Sequence, residues 1–102
     1  MTTTYTSEHV TLTCRPDGVF TLVLCGEQNL INPPMVTELT TALSLVEAAP
    51  HPKALCVTAE GKFFSNGLDV TWMSENPGEA FSMIESFWRF LAQLLVLPCH
   101  TV

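Results

Sequence analysis

Between residues 9 and 15 apolar and polar positions alternate. Val10, Leu12 and Cys14 share one face and Thr11, Thr13 and Arg15 the other, which is the two-residue period of a half-buried strand. Pro16-Asp17-Gly18 reads as a turn, Pro fixing φ and Gly supplying a positive φ. Val19-Phe20-Thr21-Leu22-Val23-Leu24-Cys25 then returns, rich in β-branched and aromatic residues, so the pair predicts an antiparallel hairpin that opens the domain. Residues 1–8 are expected to be a flexible N-terminus ahead of one small domain over residues 9–102.

After the loop Gly26-Glu27-Gln28-Asn29-Leu30-Ile31-Asn32 the period lengthens. Asn32 followed by Pro33 places an N-cap before a proline of the first helical turn. Met35, Leu39, Ala42, Leu43 and Val46 then recur at helical spacing, with Glu38, Thr41 and Ser44 largely off that face, until Pro50 and Pro52 stop the helix. Residues 54–58 form an apolar run without alternation, which predicts a strand covered on both faces. Residues 68–74 predict a short helical turn whose Trp72 and Met73 pack inward or cover a pocket, packing being the commoner fate of large apolar residues. Asn76-Pro77-Gly78-Glu79 predicts a further helix start resembling a capping box. Phe81, Ile84, Trp88, Leu91 and Leu95 mark an apolar stripe opposite Ser82, Glu85, Arg89 and Gln93. Phe87, Phe90 and Leu94 widen it beyond what one neighbour needs, which predicts contact with a further part of the chain, a missing segment or another subunit. Pro98-Cys99-His100-Thr101-Val102 reads as the first half of another strand.

Composition narrows the classes. A chain of 102 residues, 47% hydrophobic and 14% charged, is one small domain and not a solvated disordered segment. Four Lys+Arg against ten Asp+Glu give a net charge of −6, with no basic patch to neutralise a phosphate backbone, so nucleic acid is not an expected partner. Cys14, Cys25, Cys56 and Cys99 form no Cys-x-x-Cys pair and read as small buried hydrophobes of a reducing, intracellular compartment. The first residues lack the basic-then-apolar order of a secretory signal, no run approaches a membrane span, and His100-Thr101-Val102 is not a Ser-Lys-Leu type of peroxisomal address. His9, His51 and His100 are scattered and not at metal-ligand spacing.

The candidate chemistry lies in Gly61-Lys62-Phe63-Phe64-Ser65-Asn66-Gly67-Leu68-Asp69. Glycine at both ends lets such a loop turn sharply and lets another molecule approach its backbone, where N–H groups can hold an oxyanion. The plain alternative is an ordinary strand-to-helix turn with Asp69 as N-cap. The Ser65 hydroxyl is no nucleophile: neither a Gly-x-Ser-x-Gly elbow nor His and Asp partners accompany it.

The stretch from Glu60 to Val70 resembles the signature loop of the crotonase (enoyl-CoA hydratase/isomerase) superfamily, Gly-x-(Lys/Arg)-x-Phe-(Ser/Ala/Cys)-x-Gly-x-Asp-(Leu/Ile), and its Phe-Phe-Ser-Asn-Gly wording is most similar to the peroxisomal Δ3,Δ2-enoyl-CoA isomerase branch. The run from Asn29 to Leu39 is similar to the superfamily's Asn-Ala-(Leu/Phe)-(Asn/Ser/Asp)-x-x-Met-x-x-Glu-Leu pattern, with Leu30 where Ala is common. The resemblance covers almost the whole chain and only the first half of a typical member. It implies an α/β fold, the N-terminal portion of a crotonase-like (ClpP/crotonase) ββα spiral opening with an antiparallel hairpin.

The same resemblance implies acyl-CoA as ligand, enoyl-CoA isomerisation in fatty-acid β-oxidation as the activity, and hydration as the alternative. Ser65 would give its backbone N–H to the thioester oxygen. Lys62, Phe64, Ser65, Asn66, Gly67 and Leu68 would line the CoA site, Lys62 towards a phosphate unless it is simply a solvated surface lysine. Asp69 would cap a helix. No metal and no cofactor beyond the CoA of the substrate are implied, the assembly would be a homo-oligomer (trimer or hexamer), and the compartment would be the peroxisome, with mitochondrion or cytoplasm as alternatives. The second oxyanion glycine and the catalytic glutamate would lie beyond residue 102, while Glu60, Glu75 and Glu79 match no catalytic position. From another functional class, a non-catalytic chain that binds or joins full-length subunits remains the competing reading.

Overall fold

In the computed structural model residues 2–50 and 53–102 are described. Among them lie five strands and three helices. Strand β1 (Thr2–Thr6), β2 (Val10–Cys14) and β3 (Val19–Leu24) form an antiparallel meander, and the turn between β2 and β3 is closed by a Gly18 N–H donating to the Arg15 carbonyl at 2.9 Å with Gly18 at φ 89°. Helix α1 (Pro33–Ala48) crosses to β4 (Ala54–Ala59), which pairs parallel to β3 over six positions, from Val19↔Ala54 to Leu24↔Ala59. Helices α2 (Val70–Glu75) and α3 (Pro77–Leu95) lead to β5 (His100–Thr101), parallel to β4. The sheet order is β1-β2-β3-β4-β5. This mixed α/β sheet opening with antiparallel strands agrees with the predicted class.

Each element follows from its residues. Val10 and Leu12 of β2, Phe20, Leu22 and Leu24 of β3, and Leu55 of β4 project from one face of the sheet into the core. They meet Met35, Val36, Leu39, Ala42, Leu43 and Val46, the buried stripe of α1, and Met83 and Phe90 of α3. Asn32 starts α1 as expected: its side chain accepts from the Met35 N–H at 3.2 Å, and the proline after it needs no N–H partner. The Lys53 ammonium then donates to the carbonyls of Val46, Glu47 and Ala49, closing the other end of α1. His51 and Pro52 lie outside the described residues, and with them the second proline of the predicted helix stop.

Several expectations change. Residues 1–8 hold a strand: Thr2–Thr6 pairs with β2, because a Thr- and Tyr-rich segment suits the open edge of the hairpin, and a register shift between Thr3 and Tyr5 bends it. Strand β4 is not covered on both faces. Leu55 is buried against the helices, whereas Cys56 on the opposite face is half-buried and Thr58 exposed, since both large helices lie on one side of the sheet. Asn76 makes no side-chain cap for α3. It terminates α2 with its own N–H, and its Nδ2 turns back to the Trp72 carbonyl at 3.0 Å, so no capping box forms with Glu79. The four cysteines are free thiols, half-buried instead of fully buried.

The largest change concerns α3. The predicted stripe is mostly the outer surface: Phe81 is 78%, Trp88 67% and Leu95 86% exposed, and the core is reached by Met83 and Phe90, with Ile84, Phe87 and Leu94 packed beside them. Trp72 and Met73 pack inward against this core, as expected. Among the described residues no helix is long and apolar enough to cross a membrane.

Candidate functional site

Two loops leave the sheet at its carboxyl edge, one after β3 and one after β4. Because these strands are parallel neighbours, the loops run side by side and become zipped by main-chain bonds. Glu60 N–H donates to the Leu24 carbonyl at 2.9 Å, Asn66 N–H to Gln28 at 2.8 Å, Ile31 N–H to Gly67 at 2.8 Å and Asp69 N–H to Ile31 at 2.9 Å. Ile31 and Leu68 form a short parallel bridge within this zipper. Its far end joins two helix caps: Asp69 accepts from Trp72 N–H at 3.0 Å to start α2, and its other oxygen accepts from the Asn32 amide at 3.0 Å. Those bonds, the Asn32 amide first and the Trp72 N–H second, hold the Asp69 carboxyl below its ordinary value. A carboxylate held this way caps a helix, with one hydrogen bond on each oxygen.

The zipper forms one wall of a half-open apolar cavity of about 430 Å³, bordered also by the core face of the sheet, by α3 and by Thr101 and Val102. Leu24, Ile31, Leu39, Val57, Phe87 and Phe90 supply its apolar lining, and Phe64, Ser65, Gly67 and Leu68 of the loop border it. At Ser65 the hydroxyl is engaged, donating to the Asn29 carbonyl at 2.8 Å and accepting from Gly67 N–H at 3.1 Å. The Ser65 backbone N–H, by contrast, has no acceptor among the described residues. Gly67 holds φ 84°, a conformation that β-carbon-bearing residues adopt at a cost, and a Cβ built there would meet no neighbour within 4 Å. Such an arrangement leaves a backbone N–H without an acceptor among the described residues, on a residue that lines an apolar cavity.

Of the six residues predicted from the sequence, Phe64, Ser65, Gly67 and Leu68 meet at the cavity. Lys62 and Asn66 do not line it. Lys62 is exposed with its ammonium 5.6 Å from the centre of the Phe63 ring, and the Asn66 N–H is engaged by Gln28. Glu60, Glu75 and Glu79 are exposed, and no acidic side chain lines the cavity among the described residues. No cluster of metal-binding side chains occurs among those residues either. A second concavity, of about 470 Å³, lies between α1, α2 and α3 beside Trp72 and Met83 and contains none of the signature loop.

Reasoning from sequence overlooked Asn29. Among the described residues it is the one buried polar side chain, and its amide holds the loop that carries Ser65. Its signal was an asparagine in a strand-to-helix loop three residues after a glycine, a residue type that tolerates the left-handed region; here φ is 50°.

The fold is that of a crotonase-type protein. The chain belongs to the crotonase (enoyl-CoA hydratase/isomerase) superfamily: it is similar to the peroxisomal enoyl-CoA delta isomerases 1 and 2 of Arabidopsis thaliana, with 30% and 38% identity over 84% and 82% of this chain. An enoyl-CoA hydratase of Alternaria alternata is 37% identical over 54% of it. The chain spans only 37–38% of the length of those isomerases. Among solved structures, an enoyl-CoA hydratase of Geobacillus kaustophilus superposes with a TM-score of 0.85 at 20% identity, covering 95% of this chain and 38% of that one. An enoyl-CoA isomerase of Mtb gives 0.78 at 26% identity, covering 91% and 40%. No family model matches the chain.

Proposed function

We propose that this chain forms the acyl-CoA-binding part of an enoyl-CoA isomerase of fatty-acid β-oxidation. The observation that carries this reading is the Ser65 N–H, without an acceptor among the described residues, at an apolar cavity large enough for an acyl chain. Moving a double bond along an acyl thioester begins with loss of a proton α to the carbonyl, and the resulting enolate places negative charge on the thioester oxygen. A preorganised N–H stabilises that charge where it develops; removing one such donor costs about 3–4 kcal/mol of barrier in a comparable hole. Phe64 and Leu68 hold the acyl chain, and Gly67 lets the CoA arm pass close to the backbone. Lys62 meets a CoA phosphate from its exposed position, beside Asn66. The reaction is a redox-neutral proton transfer, so CoA enters as part of the substrate and no separate cofactor is required.

Isomerase is preferred to hydratase because the isomerase relatives align over 82–84% of this chain and the Alternaria hydratases over 54%. The two peroxisomal names among the relatives support a peroxisomal location. The exposed stripe of α3 supports a homo-oligomer, which sedimentation of the purified chain at tens of micromolar tests: a monomer counts against it. One specific observation favours a second reading, a binding module without catalysis, namely the absence of a carboxylate at the cavity among the described residues. Calorimetric titration of the purified chain with a saturated acyl-CoA tests the main reading. Saturable binding is expected, and a folded chain that does not bind removes the functional assignment.

A further inference from the structure

Asn29 is 4% exposed, and both polar atoms of its side chain are engaged. Oδ1 accepts from Gly26 N–H at 2.8 Å, while Nδ2 donates to the Phe64 carbonyl at 3.0 Å and to the Phe63 carbonyl at 3.3 Å. Its own carbonyl accepts from the Ser65 hydroxyl at 2.8 Å. One of these partners has a consequence at the cavity. The Phe64 carbonyl and the Ser65 N–H belong to the same peptide unit, which is planar and trans, so the two groups point in opposite directions. Drawing the Phe64 oxygen onto Asn29 therefore turns the Ser65 N–H away from Asn29. The hydroxyl bond from Ser65 back to Asn29 fixes the same residue a second time, and among the described residues the backbone N–H has no acceptor beside the cavity that Ser65 lines.

We propose that Asn29 is the positioning residue for Ser65: by binding the Phe63 and Phe64 carbonyls it sets the direction of the Ser65 N–H that meets the thioester oxygen. The proposal rests on the oxyanion reading of Ser65 given above. Gly26 belongs to the same device, because a Cβ there would stand 2.9 Å from Asn29 Oδ1 and force the amide to shift.

The test uses the full chain. Asn29→Gly removes the amide and keeps the left-handed backbone accessible. Asn29→Asp also tolerates that backbone and keeps an oxygen for Gly26, but loses both donors, and serves if the glycine variant does not fold. In the ligand-free proteins the backbone order parameter of the Ser65 amide is expected to fall from about 0.85 to below about 0.6 in either variant, with Leu22 and Leu55 unchanged. With ligand, hexanoyl-CoA is compared with its thioether analogue hexyl-CoA, which has no carbonyl. Wild type is expected to favour the thioester about tenfold and to lower its carbonyl stretching frequency; the variants lose both effects while binding the thioether within about twofold of wild type. A general packing defect would weaken both ligands alike. A folded variant whose Ser65 amide stays ordered, or which keeps the thioester preference and the carbonyl shift, overturns the proposal. Should wild type bind neither ligand, the acyl-CoA reading fails, and the order parameter still decides whether Asn29 positions Ser65.

Discussion

Single residues set the backbone of the site and tie the sheet to the helix layer. Gly67 is the clearest case at the cavity, since its φ of 84° excludes a β-branched side chain without strain of roughly 1–3 kcal/mol. Gly67→Val is expected to abolish acyl-CoA binding in a chain that remains folded, and unchanged affinity by calorimetry would contradict the close-approach role. On the far side of α1, Glu38 accepts from the Ser7 hydroxyl, from the His9 N–H at 2.7 Å and from His9 Nδ1, pinning the β1–β2 turn to the helix. Burial pulls the Glu38 carboxyl up, but these bonds outweigh it and the group sits below its ordinary 4.5. Asp69 is likewise held below 3.8. A carboxyl whose folded pKa is depressed stabilises the protein fully above its unfolded value, and that contribution is lost as pH falls through the folded one. Urea midpoints should therefore be insensitive to these two groups above about pH 5.5 and decline below about pH 4.5. Glu38→Gln should cost about 1–3 kcal/mol at pH 6 and distinctly less at pH 3; an equal cost at both would show that the charge is immaterial.

Among the elements, α3 shows best how neighbours decide which apolar face is buried. It carries two overlapping stripes, and periodicity favours the one through Phe81, Trp88 and Leu95. Packing against α1 selects the other, which puts Met83 and Phe90 in the core. Phe90→Ala should cost about 3–5 kcal/mol by leaving a cavity. Measured at dilutions where the chain is monomeric, Phe81→Ala and Trp88→Ala should each stay within about 0.5 kcal/mol, as expected of surface positions. Chemical denaturation of the three variants checks this ordering, and a costly Trp88→Ala together with a mild Phe90→Ala would mean the helix is rotated. Strand β4 carries the same lesson in weaker form. Its uninterrupted apolar run predicted burial on both sides, yet one side holds only half-buried or exposed residues because no helix of the described residues covers it.

For the molecule as a whole, the sheet with helices on one side leaves the cavity built from three directions: core strands, the zipped loops and α3. It has an apolar lining that includes Ser65, and no carboxylate that could act as a general base is among the described residues lining it. Proton transfer in solution at the rate of an enzyme needs such a base within about 3 Å of the carbon acid. Purified 102-residue chain is expected to give no enoyl-CoA isomerase turnover above background while still binding acyl-CoA, as a spectrophotometric assay would register. Measurable turnover would show that a carboxylate reaches the cavity from elsewhere on this chain or from a second copy.

Local patterns along the chain were enough for the hairpin, the Asn32 cap and buried stripe of α1, the Asp69 cap of α2, and the loop that carries Ser65 and Gly67. These depend on alternation, cap chemistry and backbone freedom, all of which act within a few residues. Only tertiary structure decided that Thr2–Thr6 pairs at the sheet edge, that α3 buries Phe90 and exposes Trp88, and that Asn29 reaches across more than thirty positions to the Phe63 and Phe64 carbonyls. The physical reason is common to all three: strand pairing, the choice between two apolar faces and the partner of a buried amide are settled by groups distant in sequence, and the parallel pairing of β3 with β4 brings two of those distant loops side by side.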